Sequence, residues 1–388
     1  MFKLSQAPAI DDLRDLYKKR VPKMFYDYCE TGSYTTQTFV ENTTAFKKHY
    51  LRQRVAVNID NRSTESTILG QKVAMPVALA PIGSAGMNHA DGEILACRAA
   101  QKFGVPYTLS TMSVCSIEEV AANVDKPFWF QLYVMRDRDF SSKLVARAKA
   151  AKCSALVLTL DLQVLGQRHK DMKNGLSTPP KPTLINLLNI ATKPAWALEM
   201  LRTKNRKFGN IHGHVSGVQD MSDLAAWTNR QFDPSLDWSS VDFIRKQWDG
   251  PLILKGINDV DDAKIAATKG CDAIIVSNHG GRQLDGCSPT IDMLGPVVDA
   301  VGKKTEVWMD SGIRTGMDVM KALALGAKAA MIGRAYIYGL GAGGEAGVAH
   351  ALNIIQKELS VTMGLCGERA IAGIGRHNLL NNATAKPR

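Results

Sequence analysis

Three observations predict that this 388-residue sequence folds as a (β/α)₈ TIM barrel with an N-terminal helical extension and a long insertion after strand 4. Short apolar runs rich in β-branched residues recur eight times, segments with helical spacing follow them, and polar side chains stand at the C-terminal ends of the runs. Continuous apolar runs suit strands buried on both faces, and their alternation with helices predicts a parallel sheet. In a barrel of eight such units, the strand ends meet at one mouth, where active sites are built.

The predicted strands are the runs at 75–81, 105–110, 128–134, 155–161, 251–256, 273–280, 306–312 and 329–335. Their helical companions include 92–104, 117–124, 261–270 and 316–327. We interpret residues 1–388 as a single domain, in which 1–70 precede the barrel and 162–250 form an insertion at the rim and the return to the barrel. Long loops at this rim commonly serve as lids, substrate walls or contact surfaces.

The composition narrows the functional classes. With 48 Lys and Arg against 37 Asp and Glu, the net charge is +11, which favours a phosphate, nucleic acid, membrane surface or small acid as partner. The seven cysteines contain no C-x-x-C pair, so we expect reduced thiols in a cytoplasmic protein without a disulfide framework or metal site. The N-terminus lacks the apolar run of a signal peptide, and no run reaches the roughly 18 apolar residues of a membrane span.

Two regions are candidates for phosphate binding. GLGAGG at 339–344 matches a dinucleotide fingerprint, but because only a final helix and a tail follow it, we interpret it as the start of a helix. DSGIRTG at 310–316 and IGRA at 332–335 follow the last two predicted strands, where barrels frequently bind phosphate. Arg314 and Arg334 add charge to these loops. Two surface arginines near turns are the alternative interpretation.

The segment SNHGGRQLDG at 277–286 carries a candidate base. His279 stands immediately beyond a predicted buried strand, and Arg282 follows three residues later, which offers a proton acceptor beside a carboxylate-binding cation. Asp161 ends another strand, where it is suited to fix the tautomer of His279, and Arg168 is a second partner for an anion. A structural histidine is the alternative.

These motifs resemble those of the FMN-dependent L-2-hydroxy acid oxidising family, which includes glycolate oxidase, L-lactate dehydrogenase and mandelate dehydrogenase. The resemblance extends from VPKMFYDYCETG to the region around GEAGV. It is strongest to the bacterial quinone-linked L-lactate dehydrogenases, through PVALAPIGSAGM, TLSTMSVCSIEEVA, WFQLYVMRDRDF, FDPSLDW, SNHGGRQLDG and DSGIRTGMDV.

The resemblance implies a role for each matching residue. The implied catalytic residues are His279, Asp161 and Tyr133. The implied substrate site consists of Tyr28, Tyr133, Arg168, His279 and Arg282. The implied FMN site consists of Pro81, Ile82, Gly83, Ser110, Gln131, Thr159, Lys255, Ser277, Asp310, Gly312, Arg314, Gly333 and Arg334. Among these, Lys255 matches the lysine near flavin N1, where a fixed cation stabilises the anion formed on reduction.

The activity implied by the resemblance is FMN-dependent oxidation of L-lactate to pyruvate, with electrons passing to quinone or another carrier. Two routes stay open, in which the Cα hydrogen leaves as a hydride or as a proton. An oxidase acting on glycolate or lactate with oxygen, and a mandelate-type dehydrogenase, are alternatives. Gly83 stands where the oxidases often carry Ala, which favours a dehydrogenase, and Met112 stands where glycolate-oxidising members carry Trp. Gln163 replaces a Pro that is usual in the turn after strand 4.

The insertion contains a basic and apolar segment. Residues 170–207 hold eight basic and two acidic residues around TLINLLNIATKPAWALEML. This pattern suits contact with an anionic membrane surface, so we predict a protein peripheral to the inner membrane on its cytoplasmic side. A lid packed on its own barrel or on a neighbouring subunit is an equal alternative, and the resemblance implies a homo-oligomer, a tetramer.

A basic nucleic-acid-binding protein is the non-enzyme alternative, but no binding module is recognisable, so we expect no nucleic acid partner.

Overall fold

Eight parallel strands form a barrel at the centre of the structure, a computed structural model that describes residues 3–176, 183–215, 227 and 230–380. The barrel strands are β3 (Val77–Leu79), β4 (Thr108–Ser110), β5 (Trp129–Tyr133), β6 (Ala155–Thr159), β7 (Leu252–Ile257), β8 (Ala273–Val276), β9 (Glu306–Met309) and β10 (Ala329–Ile332). Seven neighbouring pairs are joined by parallel ladders, and β3 meets β4 through a parallel bridge between Leu79 and Tyr107. Each predicted apolar run coincides with one strand, so the predicted barrel is confirmed.

Side chains fill the interior of the barrel. The rings of Trp129 and Trp308 stack there with their centroids 5.5 Å apart. A short hairpin, β1 (Ser66–Ile68) and β2 (Gln71–Val73), joins this interior cluster through Ile68 and Val73. The cluster includes residues that begin strands, such as Ala155 and Ala273, so the hairpin closes the end of the barrel opposite its mouth.

The helices before and around the barrel begin and end as follows. They are α1 (Ile10–Arg20), α2 (Lys23–Cys29), α3 (Gln37–Thr44), α4 (Gly92–Phe103), α5 (Ile117–Ala121), α6 (Arg138–Ala150), α7 (His169–Lys173), α8 (Leu184–Ala191), α9 (Pro194–Arg202), α10 (Trp238–Arg245), α11 (Val260–Ala266), α12 (Thr290–Val301), α13 (Gly316–Ala324) and α14 (Arg334–Leu365). The first three confirm a helical N-terminal extension. None of the helices in the described ranges is both long and apolar enough to cross a bilayer.

The glycine-rich segment 339–344 lies inside α14, where two helical stretches meet and the second begins. Gly343 and Gly344 depart from helical geometry and bend α14. A Cβ on Gly341 would lie 2.0 Å from the ring of Tyr17, so glycine is required for α1 to approach this closely. The segment therefore serves packing between the N-terminal extension and the last helix.

The insertion between β6 and β7 contains α7, α8, α9 and α10. Helix α9 is held on the barrel by Trp196, whose indole N–H donates to the Met87 carbonyl at 3.0 Å and whose ring lies 5.4 Å from Phe25. Glu199, one turn further along, forms an ion pair with Arg20 of α1. Residues 177–182, including Lys181 of the predicted basic segment, lie outside the described residues.

Candidate active site at the barrel mouth

A cavity opens at the C-terminal ends of the barrel strands and gathers most of the predicted site residues. Those that line it are Tyr28, Pro81, Ile82, Gly83, Tyr133, Thr159, Arg168, Lys255, His279, Arg282, Asp310, Gly312, Arg314, Gly333 and Arg334. Four others lie behind its wall: Ser110, Gln131, Asp161 and Ser277. Ser110 donates to the Gln131 amide oxygen at 3.1 Å, and Ser277 accepts from Lys255 at 2.8 Å. One mouth therefore contains or adjoins every predicted site residue.

His279 and Asp161 form a partly buried pair, with side chains that are 18% and 14% exposed. Nδ1 of His279 lies 2.9 Å from Oδ1 of Asp161. His279 has a φ of +59°, a left-handed conformation that is uncommon for a residue with a side chain, and its N–H donates to the Ser277 hydroxyl at 3.2 Å. Because an ionised carboxylate can only accept, Nδ1 carries the hydrogen and Nε2 is left free to accept a proton.

The surroundings of this pair set its protonation. Burial lowers the pKa of His279 below its usual value, against the opposing effect of the Asp161 charge and hydrogen bond. Burial by itself raises the pKa of Asp161, but the His279 contact and the charge of Lys255 bring it below its usual value. At neutral pH the pair therefore consists of a carboxylate and a neutral imidazole, which is the state required of a base.

Lys255, which lies within β7, provides a fixed positive charge. It is 4% exposed, and its ammonium group lies 2.9 Å from Oδ2 of Asp310. Burial alone lowers the pKa of Lys255, but the carboxylates of Asp310 and Asp161 outweigh that effect and raise it. The cavity thus holds a permanent cation close to a neutral base.

Two guanidinium groups, Arg168 and Arg282, face the same part of the cavity. Arg282 donates to the Tyr28 carbonyl at 2.5 Å and lies 4.6 Å above the ring of Tyr28. Burial and the charge of Arg282 lower the pKa of Arg168, and these effects outweigh that of the Asp171 carboxylate 4.0 Å away, so a further anion between the two guanidinium groups is favoured. Burial raises the pKa of Tyr133 well above its usual value, so its hydroxyl remains a hydrogen-bond donor. This group of residues is suited to bind a carboxylate beside a hydroxyl.

A second pair of arginines follows β9 and β10. Arg334 donates through Nε to the Cys29 carbonyl at 2.7 Å and through Nη2 to the Thr31 carbonyl at 2.8 Å. Burial, together with the charges of Arg314 and Arg282, lowers the pKa of Arg334 to about 10. Glycines 312 and 333 leave backbone N–H groups accessible beside these side chains, which is the arrangement of a phosphate site.

The wall of the cavity fits the expected FMN in two further respects. The Gln131 amide nitrogen and the Thr159 hydroxyl are buried and have no hydrogen-bond partner among the described residues. Buried polar groups of this kind ordinarily have a partner, and the polar edge of a flavin ring provides donors and acceptors. A Cβ on Gly333 would lie 3.2 Å from Ile82, so glycine keeps this part of the wall open.

Sequence reasoning missed an apolar part of the wall and one polar contact. Leu162, Leu165, Phe208 and Phe232 line the cavity, and Phe232 packs edge-on against Tyr133 with ring centroids 6.2 Å apart. These four residues come from the insertion, and although Phe232 begins the FDPSLDW motif, none of the four was assigned a role from the sequence. The polar contact is that of Gln283, which stands within SNHGGRQLDG but was given no role.

Comparison with known proteins identifies relatives along nearly the whole chain. Residues 17–381 match the family described as FMN-dependent dehydrogenase. The L-lactate dehydrogenase of Chromohalobacter salexigens is 43% identical over 378 residues, which cover 97% of this chain and 96% of that protein. The L-lactate dehydrogenase of Stenotrophomonas maltophilia is 44% identical over 374 residues, which cover 96% and 98%.

Solved structures show the same fold. The crystal structure of the monotopic membrane protein (S)-mandelate dehydrogenase matches with a TM-score of 0.92 and 34% identity, covering 97% of this chain and 100% of that one. A mandelate oxidase variant in complex with 2-hydroxy-phenylacetamide matches with a TM-score of 0.80 and 36% identity, covering 95% and 97%.

The contact between His279 and Asp161 predicts a specific titration behaviour. In ¹⁵N NMR spectra of histidine-labelled protein, the His279 imidazole should titrate below 6.5, because burial opposes its charged form. In Asp161→Asn its pKa should fall further, since the carboxylate that favours the imidazolium is gone. His279→Gln identifies the signal by its loss. An unchanged or raised pKa in Asp161→Asn would contradict this description of the pair.

Proposed function

The chain belongs to the family of FMN-dependent dehydrogenases, and on that premise we propose that it oxidises L-lactate to pyruvate. The observation that carries the proposal is the cavity in which the free Nε2 of His279 shares one space with the paired guanidinium groups of Arg168 and Arg282. A 2-hydroxy acid presents a carboxylate next to the hydroxyl that is to be oxidised. In the cavity, the two guanidinium groups are complementary to the carboxylate, and Nε2 of His279 is complementary to the hydroxyl.

His279 is the proposed base. Its neutral Nε2 takes the proton of the substrate hydroxyl, and the imidazolium that results is stabilised by the ionised Asp161 at 2.9 Å. The hydrogen bond to Nδ1 also holds the ring in the orientation that directs Nε2 away from Asp161. The substrate C–H bond breaks in the same oxidation, and its proton and its two bonding electrons leave the substrate.

Arg168 and Arg282 are proposed to bind the substrate carboxylate. Burial and the charge of Arg282 lower the pKa of Arg168, and a bound anion opposes both effects, so binding is favoured electrostatically. Tyr133 keeps its phenolic hydrogen, so it can donate a hydrogen bond to the substrate oxygen as that oxygen becomes a ketone. Tyr28 shares the space through its ring, which lies against Arg282.

The FMN site follows the polar ends of the strands. FMN, when bound, accepts the two electrons and the Cα hydrogen of the substrate. The proposed contacts with the ring system are Pro81, Ile82, Gly83, Ser110, Gln131 and Thr159. The proposed contacts with the ribityl chain and phosphate are Ser277, Asp310, Gly312, Arg314, Gly333 and Arg334. Lys255 contributes a permanent cation, and its charge is maintained by Asp310 at 2.9 Å.

A quinone is the proposed final acceptor of the two electrons. The two curated relatives and the (S)-mandelate dehydrogenase named above are dehydrogenases, whereas the other solved structure is an oxidase. Gly83 stands in a tight place, where a Cβ would lie 3.2 Å from that of Met112. A lipid-soluble acceptor also agrees with the surface of the insertion, where α8 is folded with its apolar side outward.

Helix α8 has an inverted arrangement of polar and apolar residues. Asn186 is buried and donates to the Asn174 carbonyl at 2.8 Å, whereas four apolar side chains are 57–76% exposed. These are Leu184, Ile185, Leu187 and Leu188. An exposed apolar helix face next to basic residues is typical of a contact with a lipid surface. We propose that α8 and Leu201 of α9, which is 70% exposed, bind an anionic membrane.

A homo-oligomer, the cytoplasmic location and the domain boundaries stay predictions. The (S)-mandelate dehydrogenase that this chain resembles is described as a monotopic membrane protein, which supports a peripheral location.

Replacing the base tests the proposed chemistry. His279→Gln should retain FMN but reduce the rate at which L-lactate bleaches the flavin under anaerobic conditions by about 10²–10⁴-fold, because the hydroxyl proton has no acceptor. Stopped-flow absorbance of the flavin measures this rate. His377→Gln is the matched control, since His377 is exposed and pairs with Glu368 away from the cavity. Bleaching by His279→Gln at a rate near that of the wild type would refute the assignment.

The acceptor can be tested with the same bleached sample. Addition of a water-soluble quinone should restore the yellow colour at least about tenfold faster than addition of air. The absorbance of the flavin follows both reactions, and a peroxide assay gives the yield with oxygen. Rapid reoxidation in air with stoichiometric peroxide would identify an oxidase instead.

Membrane binding is tested by sedimentation with vesicles that contain phosphatidylglycerol. The triple variant Leu184→Ser/Ile185→Ser/Leu188→Ser should bind about tenfold less than the wild type and retain its FMN, since these side chains are exposed. Val361→Ser/Leu365→Ser, which changes two exposed residues of α14, should bind as the wild type does. Equal sedimentation of all three proteins would contradict the proposal. A change of oligomeric state in the triple variant would assign α8 to a subunit contact.

A further inference from the structure

Gln283 connects two loops of the active site through a single side-chain amide. It follows Arg282 in the loop after β8, and its amide reaches the loop after β6. Nε2 donates to the carbonyl oxygens of Asp161 at 2.9 Å and Val164 at 2.7 Å. Oε1 accepts from the Gly166 N–H at 3.2 Å and from Nη2 of Arg168 at 3.4 Å.

These contacts use all the donors and acceptors that a side-chain amide has. A glutamine amide donates two hydrogen bonds and accepts two, and here two carbonyl oxygens face Nε2 while two N–H groups face Oε1. The environment therefore fixes the orientation of the amide. No other residue type of similar length offers two donors and two acceptors in this arrangement.

The partners of Gln283 belong to two different parts of the proposed chemistry. Asp161 holds His279, whereas Arg168 faces the place of the substrate carboxylate. They stand seven positions apart on a loop with little apolar packing at its middle, where Val164 is 64% exposed and Leu165 is 41% exposed. Gln283 itself belongs to the loop that carries His279 and Arg282.

The two loops are also pressed together at one glycine. A Cβ on Gly166 would lie 2.5 Å from the carbonyl oxygen of Arg282 and 2.7 Å from that of Gln283. The Gly166 N–H that donates to Gln283 therefore lies at the point of closest approach between the loops. The amide contact and the close approach together define the distance between the two loops.

We propose that Gln283 is a positioning residue, which sets the distance between Arg168 and the His279 and Asp161 pair. This inference rests on the proposed function, in which the arginine binds the carboxylate of the same molecule whose hydroxyl proton His279 removes. The carboxylate and the hydroxyl of a 2-hydroxy acid are held at a fixed separation, so the distance between Arg168 and His279 must match it. A misplacement of about 1 Å can reduce a rate by about 10²-fold.

Two substitutions separate positioning from a general structural role. Gln283→Met keeps the length of the side chain and removes all four hydrogen bonds. Gln283→Glu keeps the acceptor for Gly166 and Arg168 but directs an oxygen towards two carbonyl oxygens. The matched control is Gln163→Met, since Gln163 lies on the same loop and donates to the Leu236 carbonyl at 2.6 Å, without contact to Asp161 or Arg168.

The test uses the FMN-loaded proteins and three measurements. Flavin bleaching by L-lactate reports the reaction, the flavin absorbance change on adding oxalate reports carboxylate binding, and the pH dependence of bleaching reports His279. Gln283→Met should bleach about 10²-fold more slowly and bind oxalate about tenfold more weakly. Gln283→Glu should keep more of the oxalate affinity than Gln283→Met but should also bleach slowly. Gln163→Met should behave as the wild type does.

The pH dependence of the bleaching rate distinguishes positioning from a purely structural role, because a loss of stability alone would leave it unchanged. The rate rises with pH as His279 loses its proton, and loosening Asp161 removes a contact that favours the protonated form. The acid limb of Gln283→Met should therefore move to lower pH, with FMN content and thermal unfolding midpoint close to those of Gln163→Met. Wild-type rates in Gln283→Met, or lost FMN and stability with an unmoved pH profile, would overturn the proposal. If the wild type itself is not bleached by L-lactate, the proposed function fails, and oxalate binding alone then tests Gln283.

Discussion

The proposed active site depends on two arginines whose directions are set by backbone carbonyls and whose charges are not neutralised by an ion pair. Arg282 and Arg334 both donate to the Thr31 carbonyl, and they also reach the carbonyls of Tyr28 and Cys29. These carbonyls stand at the C-terminal end of α2, where a helix leaves its carbonyl groups without partners. Among the described residues, neither arginine has an ion pair within 4.0 Å. A backbone carbonyl orients a guanidinium group through its dipole but does not neutralise its charge, so both arginines remain able to bind an anion. The N-terminal extension is therefore part of the site and not an accessory to the barrel.

The same cavity keeps two basic groups in opposite states. His279 is neutral at neutral pH because burial outweighs the effect of Asp161, whereas Lys255 stays charged because two carboxylates outweigh its burial. The ordinary pKa values of imidazole and ammonium groups already favour these states, and the surroundings of the two side chains strengthen the difference. A neutral base beside a fixed cation is the combination that an oxidation of a hydroxyl requires: one group removes the proton, and the other stabilises the charge gained by the electron acceptor.

Much of the fold and part of the site could be predicted from local patterns in the sequence, whereas the contacts with FMN were implied only by the family resemblance. Eight apolar runs produce the strands, and residues that follow a parallel strand must reach the mouth, which places His279, Asp310 and Arg334 together. The hairpin β1 and β2 was not predicted, since its three-residue strands are too short to show alternation. The amide contacts of Gln283 also escaped prediction, and the sequence left open whether the apolar segment of α8 faces outward or packs on the barrel. Which side of a helix is buried, and which loop an amide reaches, depends on packing between distant segments. The apolar cavity wall formed by Phe208 and Phe232 was missed for the same reason, since it depends on how the insertion packs against the barrel.

The central claim is that one mouth recognises a carboxylate and oxidises the hydroxyl beside it. The most direct measurement compares L-lactate with its methyl ester in anaerobic mixing with the FMN-loaded protein. The ester keeps the hydroxyl and the Cα hydrogen but carries no charge for Arg168 and Arg282. We expect L-lactate to bleach one equivalent of flavin and the ester to bleach it at least about 10²-fold more slowly at equal concentration. Equal rates with the acid and the ester, or no bleaching by the acid, would contradict the account.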